Sequence, residues 1–185
     1  MSDARRSEKT NWIILLIGAV AAFPLIGSYV LYLFWKPDEF VNYGELIRPV
    51  PLARGSAPAG FEAVRGKWTF LMFDSGACDA YCQRKLYIMR QVRLTQGEDM
   101  NRVERVWIVD DAHEPAAQLR NDYKGTHMLP AGADLATGLA PAGAARDHIY
   151  LVDPLGNVMM RYPRDPDPSL IKKDLRRLLK SSRAG

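Results

Sequence analysis

The chain has 185 residues, 48% of them hydrophobic and 25% charged, and a net charge of +4. This length holds one ordinary domain with an appendage and leaves no room for two full domains of usual size. The 25 basic residues are scattered among 21 acidic ones, so the positive charge does not indicate a nucleic-acid partner.

The first predicted element is an uncharged stretch from Trp12 to Trp35, which as a helix is long enough to cross the hydrocarbon core of a bilayer. Arg5, Arg6 and Lys9 precede it closely, and the positive-inside rule therefore predicts a cytoplasmic N-terminus. The apolar run is longer than the core of a signal peptide. The sequence thus predicts one uncleaved membrane span with the rest of the chain facing outward.

A segment rich in proline and glycine follows this span and is typical of an extended spacer. Beyond it the chain shows the patterns of a folded domain. The predicted organisation is a cytoplasmic N-terminus at 1–11, a transmembrane anchor at 12–35, an extended spacer at 36–60 and a globular domain at 61–185.

The globular part alternates strand and helix patterns. The predicted elements are a strand at 67–74, a helix at 79–96, a strand at 103–110, a short helix at 114–123, a long loop at 129–145, two hairpin strands at 147–153 and 158–162, and a final helix at 168–183. This βαβα order, followed by a hairpin and a helix, is the thioredoxin arrangement. It favours a central sheet covered by helices.

The chain has two cysteines, Cys78 and Cys82, placed where the first strand of this domain meets its helix. The unpaired N–H groups and the dipole of a helix N-terminus favour a thiolate over a thiol. One helical turn separates the two sulfurs, which lets them form a disulfide or bind one soft cation. A disulfide that closes so small a loop removes little unfolded-state entropy, so redox or metal chemistry explains the pair better than a structural staple.

Three segments resemble the Sco/SenC family of cytochrome oxidase copper-assembly proteins. The segment Phe73–Cys82 resembles the Cys-x-x-x-Cys segment of that family, although Asp79 stands where the family commonly has a proline. The segment Val109–Pro115 is similar to the family's acidic turn, and Asp147-His148 with Tyr150–Gly156 is similar to its Asp-His and strand-turn segment. The N-terminal anchor is matched as well.

The resemblance implies a thioredoxin-like α/β domain with a central mixed sheet flanked by helices, which binds Cu(I) through Cys78, Cys82 and His148. Two thiolates and an imidazole suit this soft ion. If His148 already belongs to a strand, however, its side chain faces away from the cysteines, and it is then a hydrogen-bonded histidine at a strand start. His113 and His127 are weaker candidates, since neither has a second ligand at metal-like spacing.

The function that the resemblance implies is assistance in the assembly of cytochrome c oxidase, with an oxidase subunit or its assembly factors as partner. The expected location is the bacterial inner membrane, crossed once, with the domain in the periplasm. Two alternatives stay open. Cys78 and Cys82 are the catalytic pair of a thiol-disulfide oxidoreductase that reduces partner cysteines, or the chain is a membrane-tethered interaction subunit whose cysteines are incidental.

Overall fold

The structure is a computed structural model, and it describes residues 3–34, 42–52, 58–132, 139 and 144–182. The chain divides into two compact units, Met1–Val41 and Asn42–Gly185. Most of the predicted loop at 129–145 lies outside the described residues. All residues of the candidate site belong to the second unit.

The first unit contains helix α1, Asp3–Phe34, with Pro24 inside it. It covers nearly all of the predicted anchor at 12–35. Within the part of the chain that the structure describes, no helix is long and apolar enough to cross a membrane. The predicted membrane anchor is therefore not supported.

The second unit is built on a six-stranded sheet in the order β1-β6-β5-β2-β3-β4. Strands β2, β3 and β4 are parallel, whereas β5 and β6 form an antiparallel hairpin and β1 pairs antiparallel with β6. The strands are β1, Glu45–Pro51; β2, Trp68–Asp74; β3, Val103–Val109; β4, His127–Pro130; β5, Ile149–Val152; and β6, Asn157–Arg161.

Three α-helices and three short 3₁₀ helices complete this unit. They are α2, Ala80–Leu94; α3, Ala117–Asp122; α4, Pro168–Ser181; and the 3₁₀ helices Phe61–Val64, Gly97–Arg102 and Ala145–Asp147. From β2 to α4 the element order agrees with the prediction except for β4, which was not predicted and overlaps the predicted loop at 129–145. The sheet is mixed, as predicted. The parallel strands β2, β3 and β4 are joined through helices, whereas the antiparallel hairpin strands β5 and β6 are joined by a turn.

Two hydrophobic clusters lie on opposite faces of the sheet, because successive strand residues point to opposite sides. Every residue of the central strand β2 is buried, which accounts for its largely apolar sequence. The α2 cluster contains Ile149 and Leu151 together with residues of α2 and α4. The opposite cluster contains Tyr150 and Val152. This alternation along β5 decides where the neighbouring histidine points.

Strand β1 lies within the segment predicted as an extended spacer at 36–60. It is an edge strand and pairs on one side, with β6. An edge strand tolerates proline because its outward N–H groups need no partner in the sheet, and β1 indeed contains Pro49 and Pro51. A composition typical of a linker can therefore also encode an edge strand.

Candidate functional site

The cysteines lie on the turn between β2 and α2. The backbone N–H of Cys78 donates to the Ser75 carbonyl at 3.0 Å, and Cys78 adopts a positive φ of 43°. Asp79 is the N-cap of α2, and its carboxylate accepts a hydrogen bond from the Cys82 amide at 2.9 Å. This cap satisfies one of the free N–H groups of the first helical turn and fixes where the helix begins.

Cys78 and Cys82 form a disulfide, with their Cα atoms 5.1 Å apart. The pair therefore comes together as the helical spacing predicts, in one of the two states that the sequence left open. Both residues are buried, Cys78 being 3% exposed and Cys82 0%, and both belong to the α2 cluster. Cys78 is the slightly less buried of the two.

A carboxylate on the neighbouring loop holds the cysteine turn in place. Asp111 accepts hydrogen bonds from the Gly76 amide at 3.0 Å and from the amide and ring of His113 at 3.1 and 3.0 Å. Hydrogen bonds from the Ser75 hydroxyl and the Gly76 amide hold the pKa of Asp111 well below its usual range. A Cβ on Gly76 would lie 1.8 Å from the His113 carbonyl oxygen, so only glycine fits this close approach.

A buried lysine lies under the site. Lys85 is 0% exposed, and its ammonium contacts the Asp74 carboxylate at 2.8 Å, donates to the Phe73 carbonyl at 3.0 Å and also donates to the Arg146 carbonyl. Burial lowers the pKa of Lys85, and the Asp74 carboxylate opposes that shift. One side chain thus joins the end of β2, helix α2 and the 3₁₀ helix Ala145–Asp147.

Lys85 was missed by the sequence reasoning. A signal was present, since a cation at this position interrupts the apolar stripe formed by Cys82, Leu86 and Met89 on one face of α2. A charged residue on a buried helix face needs a partner of opposite charge. Asp74 at the end of β2 is that partner.

Two further contacts hold the 3₁₀ helix Ala145–Asp147 beside the cysteine turn. The Tyr81 hydroxyl donates to the Asp147 carbonyl at 2.8 Å, and burial raises the pKa of Tyr81. Arg146 binds both carboxylate oxygens of Asp110, at 2.8 and 2.6 Å. The turns after β2 and β3 and the segment before β5 therefore form one connected rim around the disulfide.

His148 points away from the cysteines. Its Nδ1 lies 2.7 Å from the Tyr162 carbonyl oxygen, and its ring packs edge-on against Tyr150, with ring centroids 6.0 Å apart. Tyr150 belongs to the cluster on the sheet face opposite the cysteines. His148 directly precedes β5, which begins at Ile149, and its backbone is already extended. Its side chain therefore follows the strand alternation, as expected for a hydrogen-bonded histidine at a strand start.

The other histidines also lack a metal-like environment. His113 is exposed and bound to Asp111, and His127 in β4 lies 3.8 Å from Glu104. Among the described residues, no group of three or more His, Cys, Asp or Glu side chains is arranged to hold a metal ion. The structure therefore brings Cys78 and Cys82 together but does not add His148 to them.

The strand, the cysteine turn and the capped helix lie within a segment that matches a known family. The model of a family described as the transmembrane-like, thioredoxin-like, C-terminal domain matches residues 68–182. The chain belongs to this family. The matched residues run from β2 to the end of α4 and include every residue of the rim around the disulfide. The predicted thioredoxin-like fold is thereby confirmed.

Solved structures of Sco1 proteins resemble this thioredoxin-like domain. Yeast Sco1 with copper bound matches with a TM-score of 0.54 and 18% identity, covering 65% of this chain and 83% of that chain. Apo Sco1 from Thermus thermophilus matches with a TM-score of 0.57 and 16% identity, covering 75% and 97%. No curated protein matches the chain. These likenesses confirm the resemblance to the Sco/SenC family at the level of the fold.

Proposed function

We propose that this protein is a divergent Sco-like thiol-disulfide oxidoreductase that reduces partner cysteines through Cys78 and Cys82. The observation that carries the proposal is the disulfide at the capped start of α2 in a thioredoxin-like domain. A cross-link between residues only four positions apart adds little to the stability of the fold. The disulfide thus contributes little to the stability of the fold, yet a connected rim of hydrogen bonds holds it in place. Both features are expected of a reactive site.

The reaction begins with the reduced pair. The Cys78 thiolate attacks one sulfur of a partner disulfide, and the other partner sulfur leaves and takes up a proton. Cys82 then loses its proton and attacks the Cys78 sulfur, which closes the disulfide and releases the second partner thiol. Two electrons have passed to the partner, and the bond in the structure is the oxidised product. A dithiol reductant returns the pair to its reduced state.

Copper delivery is the second candidate function, and its support is the fold shared with a Sco1 protein that has copper bound. The two thiols, once reduced, are the kind of ligand that Cu(I) prefers. His148 does not complete this set, because its ring is engaged by Tyr162 and Tyr150. The donors therefore fit a two-thiolate site and not the predicted three-ligand site.

We also propose that the domain works in an oxidising compartment, the bacterial periplasm, next to the inner membrane, with a cytochrome c oxidase subunit or its assembly factors as partner. The basic residues before the apolar run at 12–35 support an outward-facing domain. An alkaline phosphatase fusion to the C-terminus tests the location, and an inactive fusion contradicts it.

Mixing the prereduced full-length chain with an oxidised two-cysteine peptide tests the redox proposal. We expect the wild type to reduce the peptide, Cys82→Ser to accumulate a mixed disulfide at Cys78, and Cys78→Ser to do neither. A wild type that leaves the peptide oxidised contradicts the proposal.

Titration of the reduced chain with Cu(I) tests the second candidate. Binding of one equivalent that is lost in Cys78→Ser and kept in His148→Ala supports a two-thiolate site.

A further inference from the structure

A buried arginine in β3, remote in sequence from the cysteine turn, has donors without acceptors. Arg105 is 4% exposed, and its Nη2 donates to the Lys124 carbonyl at 3.0 Å. Its Nε and Nη1 are buried and have no hydrogen-bond acceptor among the described residues. An unsatisfied buried donor on a charged group is costly, so a native fold is expected to provide an acceptor for it.

A second unsatisfied donor lies on the adjacent strand. The register of β3 and β4 pairs Val106 with His127, which places Thr126 beside Arg105. Both side chains lie on the α2 face of the sheet, since Val103 and Met128, two residues away on each strand, pack in the α2 cluster. The Thr126 hydroxyl is likewise buried without a partner among the described residues. Unsatisfied polar groups from two neighbouring strands therefore lie on the same face of the sheet.

The surrounding charge is positive. The charges of Arg93 and Arg90 on α2, together with burial, lower the pKa of Arg105 to about 10, burial being the larger cause. The acidic neighbour Glu104 is adjacent in the strand and so points to the opposite face, where it pairs with Lys67 at 2.8 Å. Three arginines thus act on one another on the α2 face, and the Glu104 carboxylate beside Arg105 is engaged on the other face.

We propose that Arg105 and Thr126, with the charges of Arg90 and Arg93, form a binding site for a small inorganic anion. An anion accepts hydrogen bonds from guanidinium and hydroxyl groups and also offsets the repulsion among the arginines. A water molecule accepts such bonds too, but it brings two hydrogens that need acceptors of their own.

Thermal unfolding of the full-length chain tests the site in solution, with sodium chloride compared with sodium gluconate at equal ionic strength. We expect chloride to raise the unfolding midpoint in a saturable way, because an anion that binds the native state stabilises it. Arg105→Met abolishes the difference between the two salts. Arg84→Met, which removes an exposed arginine of α2, keeps the difference. Thr126→Val, which removes one hydroxyl donor, raises the chloride concentration needed by about tenfold.

Crystals grown in sodium bromide test the site directly. We expect an anomalous peak within hydrogen-bond distance of the Arg105 guanidinium and the Thr126 hydroxyl. If the Arg105→Met chain does not fold, this peak and the Thr126→Val titration decide the question. The absence of a bromide peak at this position, or the same midpoint in chloride and gluconate for the wild type, overturns the proposal and assigns the donors to water. The result is independent of the reactivity of the cysteines.

Discussion

The substitution Lys85→Met tests how the rim around the disulfide is held together. It removes a fully buried ammonium, leaves the buried Asp74 carboxylate without its cation and takes one donor from each of two carbonyls. Breaking a buried ion pair from one side costs about 3–5 kcal/mol, whereas an exposed pair contributes about 0–1 kcal/mol. Because Lys85 is completely enclosed, we expect the larger cost. In a domain of this size that lowers the unfolding midpoint by about 10–15 °C.

Urea unfolding of the full-length chain measures this cost. Arg84→Met is the matched control, since Arg84 is the neighbouring residue of α2, its side chain is 60% exposed and its ion pair with Asp165 is 3.5 Å long. We expect this control to change the free energy of unfolding by less than about 1 kcal/mol. The double variant Asp74→Asn with Lys85→Met is expected to recover at least half of the loss, because it leaves no unpaired charge. Equal losses for Lys85→Met and Arg84→Met would refute the reasoning.

Three further predictions concern the cysteine turn, each measured by urea unfolding. Asp79→Ala removes the N-cap of α2 and costs about 1 kcal/mol, and an unchanged midpoint would contradict that role. Gly76→Ala forces a Cβ against His113 and costs about 3 kcal/mol, so a tolerated alanine would show that the turn is loose. The folded-state pKa of Asp111 is depressed, so its contribution is present above about pH 4 and lost as the pH falls below that value. Asp111→Asn therefore flattens the stability profile between pH 6 and pH 3, and an unchanged profile would contradict this.

The sheet and the cysteine turn could be predicted because their signals are local. The largely apolar run of β2 and the change of period into α2 place the cysteines at a strand-to-helix junction. Asp79 follows Cys78 directly and is a residue type that commonly caps helices. The βαβα order and the hairpin limit the topology to few arrangements. These features depend on neighbours in sequence, which a single chain displays.

The rest depends on contacts between distant segments. The orientation of His148 follows from where β5 begins, and a shift of one residue reverses the face on which the ring lies. The prolines of β1 make its sequence look like a linker. The strand is stabilised by its partner β6, which lies more than 100 residues away in sequence. The role of Lys85 needs the Arg146 carbonyl, which only the folded chain brings to it. In each case the local composition is compatible with more than one structure.

The reduction potential of the Cys78–Cys82 pair tests the proposed redox function most directly. The full-length chain is equilibrated in dithiol redox buffers and its free thiols are counted after alkylation. A pair that turns over is expected to have a midpoint above about −300 mV, since structural disulfides of secreted proteins lie below that value. A midpoint well below it, with the pair fully oxidised in every buffer that a periplasmic reductant could match, would contradict the proposed function.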